Sequence, residues 1–308
     1  MAEVKLLGPA EVRDLADLLD VTPTKKLGQN FVIDANTVRR IVRVAGVQPG
    51  DTVVEVGPGL GSLTLGLLEA DARVVAVEID KRLAAQLPLT VAQLTAGSGT
   101  DVSGTDVSGT DVSGTDASGT GASVADRLTV IRADALQLAE LPLAPNRLVA
   151  NLPYNVSVPV LLHMLEHFES IRAGVVMVQA EVGQRMAAVP GSKIYGGPSV
   201  KAAWYGTWRI AGQVSRQVFW PVPNVDSILV AFERHDSEPG DAALRRRTFE
   251  LVDAAFQQRR KMLRQSLSVV YGDAQAASVA LESAGLAPTG RGEALTVADF
   301  VALAKAGE

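Results

Sequence analysis

Residues 52–80 read TVVEVGPGLGSLTLGLLEADARVVAVEID, and the order of the segments within them predicts the fold class of the chain. The segment 52–56 is short and rich in valine, a residue that favours strands, which predicts a buried strand. A glycine loop follows at 57–61, and leucines at helical spacing begin after Ser62. Residues 73–79 form a second valine-rich run. Strand, loop, helix and strand in this order predict a βαβ unit within a parallel sheet.

The rest of the chain extends this unit on both sides. Helices are predicted upstream at 11–20 and, with Asp34 as N-cap, from residue 34 onward. Downstream, alternating patterns predict further strands at 128–132, 147–150, 174–179, 199–210 and 226–233. The segments between them predict helices at 159–168 and 181–188 and loops at 191–198 and 219–225. From about residue 240 the pattern is helical, at 241–257, 259–270, 273–284 and 296–305. The change to an all-helical pattern predicts a domain boundary near 235–240.

Residues 98–122 repeat the unit SGTDV nearly five times. Gly, Ser, Thr and Asp bury too little apolar surface to hold a fold, so we expect a disordered insertion in a surface loop. The aspartates recur every five residues, which does not match the nine-residue calcium-binding repeat. Calcium binding is therefore the less favoured interpretation of this segment.

Composition excludes several classes of site. The chain of 308 residues has no cysteine, so disulfides, thiolate metal sites and cysteine nucleophiles are excluded. The N-terminus lacks the apolar core of a secretory signal, and no apolar run is long enough to span a membrane. We therefore expect a cytoplasmic protein. The net charge is −5, but four of the acids lie in the repeat, so the remainder is near neutral.

The three histidines of the chain do not form a metal-binding set. His163 and His167 are four residues apart, but position 164 is methionine, where an HExxH motif needs glutamate. We expect these histidines and His235 to be structural, and no metal to be bound.

The glycine loop is the first candidate for ligand binding. Its pattern is Gly57-x-Gly59-x-Gly61, and Ser62 stands where a dinucleotide fingerprint needs its last glycine. Glycines allow a close approach of backbone to ligand, and a helix N-terminus favours anionic groups. The loop alone leaves two interpretations open, a nucleotide-type ligand and a purely structural turn.

Two acids strengthen the ligand interpretation. Glu78 lies 21 residues after Gly57, at the carboxyl end of the second strand, where a carboxylate accepts hydrogen bonds from ribose hydroxyls. Asp134 follows the third strand at the same edge of the sheet, in reach of an adenine amine. By itself, Asp134 is equally well explained as a helix cap.

The most specific feature is the run Asn-Leu-Pro-Tyr at 151–154. Pro153 fixes the turn, so the Asn151 side-chain oxygen and the Leu152 carbonyl become two acceptors aimed at one point. Tyr154 offers a ring face beside them. An adenine N6 amine suits this arrangement, because both hydrogens are held out of the ring plane and the nitrogen lone pair becomes more nucleophilic. Taken alone, the run is also an ordinary turn.

Two further segments favour nucleic acid. The run FWPVP at 219–223 offers Phe219 for stacking on the other face of a base, although rings here also suit core packing. Residues 244–264 hold seven basic and two acidic side chains. Such a patch suits a phosphate backbone, although a solvated helix face is the usual fate of a charge run. The basic residues are Arg245, Arg246, Arg247, Arg259, Arg260, Lys261 and Arg264.

Taken together, the chain resembles the KsgA (RsmA) family of small-subunit ribosomal RNA adenine N6,N6-dimethyltransferases. Eight stretches in the family's order carry the resemblance, and none lies within 98–122. They are KKLGQNFVID (25–34), VVEVGPGLG (53–61), VAVEID (75–80), RADAL (132–136), NLPYNVS (151–157), YGGPSVKA (195–202), FWPVPNVDS (219–227) and QRRKMLRQSL (258–267).

The resemblance implies an α/β, Rossmann-like class I methyltransferase domain at 1–237 and a small C-terminal all-α RNA-binding domain at 238–308. It implies that S-adenosylmethionine is the cofactor and that its site is lined by Gln29, Asn30, Val32, Gly57, Gly59, Gly61, Glu78, Asp134 and Asn151. It implies that residues 151–154 hold the target amine while Phe219 stacks on the base.

The implied substrate is 16S rRNA within a small-subunit pre-ribosomal particle. Two adjacent adenines near its 3′ end would each be dimethylated by a monomeric enzyme. Two alternatives stay open. One is the related family that methylates 23S rRNA and confers macrolide resistance, and the other is an assembly checkpoint in which binding matters more than catalysis.

Overall fold

The computed structural model describes residues 4–21, 30–95 and 123–307. The strands of the described chain are β1 (Phe31–Val32), β2 (Thr52–Val56), β3 (Arg73–Glu78), β4 (Leu128–Arg132), β5 (Arg147–Asn151), β6 (Ala173–Gln179), β7 (Gly206–Val214), β8 (Phe219–Trp220) and β9 (Ser227–Arg234). The helices are α1 (Pro9–Leu18), α2 (Ala35–Val44), α3 (Ser62–Glu69), α4 (Lys81–Thr95), α5 (Ser157–His167), α6 (Ala180–Met186), α7 (Gly197–Tyr205), α8 (Ala242–Gln257), α9 (Leu263–Ser266), α10 (Ser268–Tyr271), α11 (Ala274–Ser283) and α12 (Val297–Ala306).

A seven-stranded sheet runs in the order β4-β3-β2-β5-β6-β9-β7. Strands β2 to β6 are parallel, and β9 and β7 are antiparallel additions at one side. The chain leaves β2 in one direction and later returns to β5 on its other side. This reversal is a topological switch point, where open α/β sheets bind ligands beyond the carboxyl ends of the strands.

Two apolar layers cover the sheet and a third cluster holds the helical region together. Buried residues of α2, α3 and α4 cover one face, and buried residues of α5, α6 and α7 cover the other. The third cluster joins α8, α11 and α12 around Phe300, which is fully buried. The predicted α/β class is confirmed, because the sheet is parallel at its centre and helices lie on both faces.

Most predicted elements are present within a few residues of their predicted bounds. Asp34 caps α2 as predicted, because its Oδ1 accepts a hydrogen bond from Thr37 N at 2.6 Å. The helix predicted at 259–270 is instead two short helices, α9 and α10. The repeat at 98–122 lies outside the described residues.

The strand predicted at 199–210 is wrong in its first half. Pro198 stands in the first turn of α7, and the Ser199 hydroxyl accepts from Gly196 N at 3.0 Å, so a helix begins where bulky residues favoured a strand. The true strand, β7, begins at Gly206.

The loop predicted at 219–225 is also wrong at its start. Phe219 and Trp220 form β8 and pair antiparallel with Val32 and Phe31 of β1. This pairing joins segments far apart in the chain, so a local pattern does not reveal it.

Candidate active site

A cavity of about 510 Å³ opens at the switch point between β2 and β5. This size is ordinary for a small-molecule site. It is lined by Asn30 to Val32, the loop 57–60, the end of β3 with Ile79, residues 133–136 and the turn 151–156. The structure therefore brings the glycine loop and the Asn-Leu-Pro-Tyr turn into one cavity.

The glycine loop needs glycine for conformation and for space. Gly57, Gly59 and Gly61 have φ of 71°, 58° and 97°, a region that favours glycine. A Cβ on Gly59 would lie 2.9 Å from Cε1 of Phe31. Gly61 does not line the cavity, and a Cβ there would lie 2.7 Å from Leu87. Gly61 thus shapes the turn into α3, while Gly57 and Gly59 face the ligand space.

Glu78 is held in place by the loop that it faces. Its Oε2 accepts from Gly59 N at 3.1 Å and its Oε1 accepts from Asp80 N at 2.9 Å. The residue is only 5% exposed, and burial raises the pKa of its carboxyl above the ordinary value. The carboxylate is therefore preorganised at the carboxyl end of β3.

Asp134 caps a short turn, as one of its two sequence interpretations predicted, and it also lines the cavity. Its side chain accepts from Leu136 N at 2.9 Å and caps a short 3₁₀ turn. Capping fixes the carboxylate at the rim of the cavity, and its contact with an adenine amine stays a prediction.

Sequence reasoning missed Glu55, a buried acid on β2 that lines the same cavity. It is 1% exposed and accepts from the Thr64 hydroxyl at 2.6 Å. Burial raises the pKa of its carboxyl to about 8, with a further contribution from the charge of Glu78. A lone glutamate inside an otherwise apolar strand was the available signal.

The cavity has a strongly one-sided charge. Among its described lining residues, the carboxylic acids are Glu55, Glu78, Asp80 and Asp134, of which Glu55 is mostly neutral at neutral pH because burial raises its pKa to about 8. No lysine, arginine or histidine belongs to that described lining. A ligand with positive charge is therefore favoured over an anionic one.

The turn at 151–154 is fixed at both ends. The Asn151 amide nitrogen Nδ2 donates to Asn30 O at 3.0 Å, and Leu152 N donates to Met177 O at 3.1 Å. The hydroxyls of Tyr154 and Ser227 lie 2.6 Å apart in a hydrogen bond. Pro153 and Tyr154 both line the cavity.

The segment Asn30 to Val32 closes one side of the cavity. It is tied down by the pairing of β1 with β8 and by the Ser62 hydroxyl, which donates to Val32 O at 2.6 Å. Phe219 on β8 is 1% exposed and does not line the cavity. A base reaches its ring only if neighbouring side chains move, and the stacking role of Phe219 stays a prediction. Gln29 lies outside the described residues.

The basic run divides into paired and exposed side chains. Arg245 is buried and pairs with Glu166 at 2.5 Å and with Glu238 at 3.7 Å. Burial and these two ion pairs argue against the predicted contact of Arg245 with RNA, because its guanidinium already binds acids inside the protein.

The other basic side chains are closer to solvent. Arg247 pairs with Glu250, and Arg259 pairs with Glu293. The exposed members are Arg246, Arg260 and Lys261, while Arg264 is half-buried.

The hydrogen bonds of the histidine rings are to backbone oxygens. His163 Nε2 lies 2.9 Å from Leu138 O, and His235 Nε2 lies 3.1 Å from Ala203 O. Across residues 4–21, 30–95 and 123–307, no group of three acids or histidines is arranged to hold a metal ion. Over the same ranges, no helix has the length and apolarity needed to cross a membrane.

Comparison with known proteins gives concordant matches. Residues 22–112 and 116–306 match the family described as Ribosomal RNA adenine dimethylase. The chain is 70% identical over 304 residues to "Ribosomal RNA small subunit methyltransferase A" of Leifsonia xyli subsp. xyli, covering 99% of both chains. It is 56% identical to the protein of that name from Streptomyces griseus subsp. griseus, covering 97% of this chain and 94% of the relative.

Solved structures share the fold at lower identity. A dimethyladenosine transferase from Plasmodium falciparum superposes with a TM-score of 0.68 at 20% identity, over 89% of this chain and 95% of that one. The 23S rRNA methyltransferase ErmE gives a TM-score of 0.61 at 24% identity, over 90% and 99%. At such identities the likeness supports the class I methyltransferase fold alone.

Proposed function

The chain belongs to the ribosomal RNA adenine dimethylase family and is an rRNA adenine dimethyltransferase, and we propose that it dimethylates N6 of two adjacent adenines near the 3′ end of 16S rRNA. The observation that carries this proposal is the single cavity shared by the glycine loop and the turn at 151–154. A methyl donor and a target amine both need to reach that space.

S-adenosylmethionine fits the residues present. It has a ribose diol, an adenine amine and a net positive charge at neutral pH, and the cavity offers fixed carboxylates and no basic side chain in its described lining. We assign Glu78 to the ribose and Asp134 to the adenine amine, with Gly57, Gly59, Asn30 and Val32 as walls. When bound, the cofactor supplies a methyl group on a positively charged sulfur.

The turn provides the acceptor site. Because Asn151 Nδ2 is held by Asn30 O, its Oδ1 is the side-chain atom left to accept from the target amine. The Leu152 carbonyl is assigned the second hydrogen, and the Tyr154 ring the face of the base. Holding both hydrogens out of the base plane makes the N6 lone pair available, so positioning and electrostatics supply the catalysis.

The helical region from residue 238 is assigned to RNA binding. Exposed Arg246, Arg260 and Lys261, with half-buried Arg264, offer phosphate contacts there. The target is proposed to be 16S rRNA in a small-subunit pre-ribosomal particle in the cytoplasm, modified by a monomer.

Relatives named for the small subunit favour this substrate over 23S rRNA, since they share 50–70% identity with this chain. A checkpoint function in which catalysis is secondary is disfavoured by the intact cavity and turn. Comparing the growth of an Asn151→Ala strain with that of a strain that lacks the protein separates these roles. If the two strains have the same growth defect, catalysis is the main role.

The direct test is mass spectrometry of rRNA from immature small and large subunits after incubation with enzyme and labelled S-adenosylmethionine. We expect N6,N6-dimethyladenosine in small-subunit rRNA alone, and modification confined to the large subunit would refute the assignment.

Tyr154→Ala should abolish methylation while calorimetry still detects cofactor binding. Glu78→Ala should weaken that binding.

A further inference from the structure

The Tyr154 ring is anchored at its far end. Its hydroxyl oxygen lies 2.6 Å from the hydroxyl oxygen of Ser227, and the two residues are 73 positions apart in sequence. At the near end, the Ser157 hydroxyl donates to Tyr154 O at 3.4 Å. A tyrosine side chain has two rotatable torsions, so a tie at the phenol oxygen restricts both the tilt and the position of the ring.

The backbone of Ser227 is itself held in place by strand pairing. It is 1% exposed, and as the first residue of β9 it pairs with Gln179 of β6 and with Val214 of β7. The preceding residue, Asp226, accepts from Ala180 N at 2.8 Å through its backbone and from Arg216 at 2.6 Å through its side chain. Pairing within three strands therefore fixes the point from which the Ser227 hydroxyl projects.

We propose that Ser227 is a positioning residue of the methyl transfer, whose hydroxyl holds the Tyr154 ring in the plane on which the target adenine stacks. The proposal rests on the proposed function, because it takes Tyr154 as the surface that receives the base. It extends that function to the antiparallel side of the sheet, which lies outside the cavity lining.

The Tyr154 hydroxyl serves as a tether rather than as a base. Burial raises the pKa of this phenol above its ordinary value, so the group stays protonated at neutral pH. The phenol forms a hydrogen bond with the neutral hydroxyl of Ser227. Removing either hydroxyl therefore loosens the ring without removing the aromatic face.

The test is a double-mutant cycle on the intact enzyme with Ser227→Ala, Tyr154→Phe and the double variant. We expect kcat to fall about tenfold in each single variant, because small displacements of a reacting group are costly. The double variant should fall no further, since both changes remove the same hydrogen bond. KM for the RNA and the calorimetric Kd for S-adenosylmethionine should stay at the wild-type values.

Thr90→Val is the matched control. Thr90 is also 1% exposed, and its hydroxyl accepts from Gln86 Nε2 at 3.3 Å on α4, outside the cavity lining. It reports the effect of deleting a buried hydroxyl away from the cavity and from the helical region, and we expect its kcat to equal that of the wild type.

Each contrary outcome has a separate meaning. Wild-type kcat in Ser227→Ala alongside an inactive Tyr154→Ala would overturn the positioning role and leave the proposed function standing. Additive losses in the double variant, or a weaker cofactor Kd in Ser227→Ala, would also overturn it. Retained activity in Tyr154→Ala would instead contradict the proposed function itself.

Discussion

The side-chain amide of Asn151 donates a hydrogen bond to the backbone oxygen of Asn30 at 3.0 Å, across 121 positions of the sequence. One residue ends β5 and the other begins the segment that closes the cavity. The bond settles which atom of the amide faces the cavity. It also couples the closing segment to the turn that is assigned to the target base.

Asn151→Asp tests this coupling directly. The change keeps an acceptor oxygen but replaces the donor with a second oxygen, which then faces the Asn30 carbonyl and repels it. We expect methylation to fall by about a hundredfold or more, as for loss of a preorganised polar contact at a reaction centre. Single-turnover rates with labelled cofactor measure it, and an unimpaired rate would mean that the amide nitrogen has no role.

Glu55→Gln should change how stability depends on pH. The carboxyl pKa is raised from 4.5 to about 8 in the folded protein. Its contribution to stability is therefore fully present below about pH 4.5 and is lost as pH rises through about 8. Glutamine does not titrate, so the variant should gain free energy of unfolding relative to the wild type between these values, on the order of a few kcal/mol.

Urea denaturation across that pH range measures the Glu55→Gln effect. Glu233→Gln, at an exposed position of β9, is the matched control. A constant difference between Glu55→Gln and the wild type across the range would contradict a buried carboxyl that is neutral at neutral pH.

Substitution of Arg245 should lower Tm, whereas substitution of the adjacent Arg246 should weaken RNA binding and leave Tm unchanged. Arg245→Met removes the ion pair of Glu166 and leaves Glu238 with Arg234 as its ion-pair partner. Because Glu166 is partly exposed, the variant should lose less than the about 3–5 kcal/mol that breaking a fully buried pair costs, but still enough to lower Tm. Arg246 is exposed, so Arg246→Ala should leave Tm unchanged and reduce the salt dependence of RNA affinity by about one counterion. Thermal denaturation and RNA binding at several salt concentrations check both, and equal Tm values for the two variants would contradict this division.

Deleting residues 98–122 should preserve both fold and activity. The repeat consists mainly of Gly, Ser, Thr and Asp, which contribute little to a core. Circular dichroism, Tm and the rRNA methylation assay measure the result. A large fall in Tm would show that the segment is structural.

Local pattern was sufficient for most of the fold. The valine-rich run at 52–56, the glycines after it and the leucines from residue 63 predict strand, turn and helix, because period and turn chemistry are properties of neighbouring residues. Asp34 was found as a cap for the same reason. The prediction of a strand at 199–210 was wrong in its first half because bulky residues there pack equally well on a helix. Pro198 stands in the first turn of that helix and favours its start.

Sequence pattern alone was enough to predict a parallel βαβ core and to place Gly57, Glu78 and Asn151 at the carboxyl ends of three strands, along one edge of the sheet. The partners that these residues contact are seen only in the folded chain. The bond from Asn151 to Asn30, the tie from Tyr154 to Ser227, the burial of Glu55 and the internal pairing of Arg245 each join distant segments. Their energies depend on distance and solvent exclusion in the folded chain, and neither quantity is encoded in the spacing of neighbouring residues.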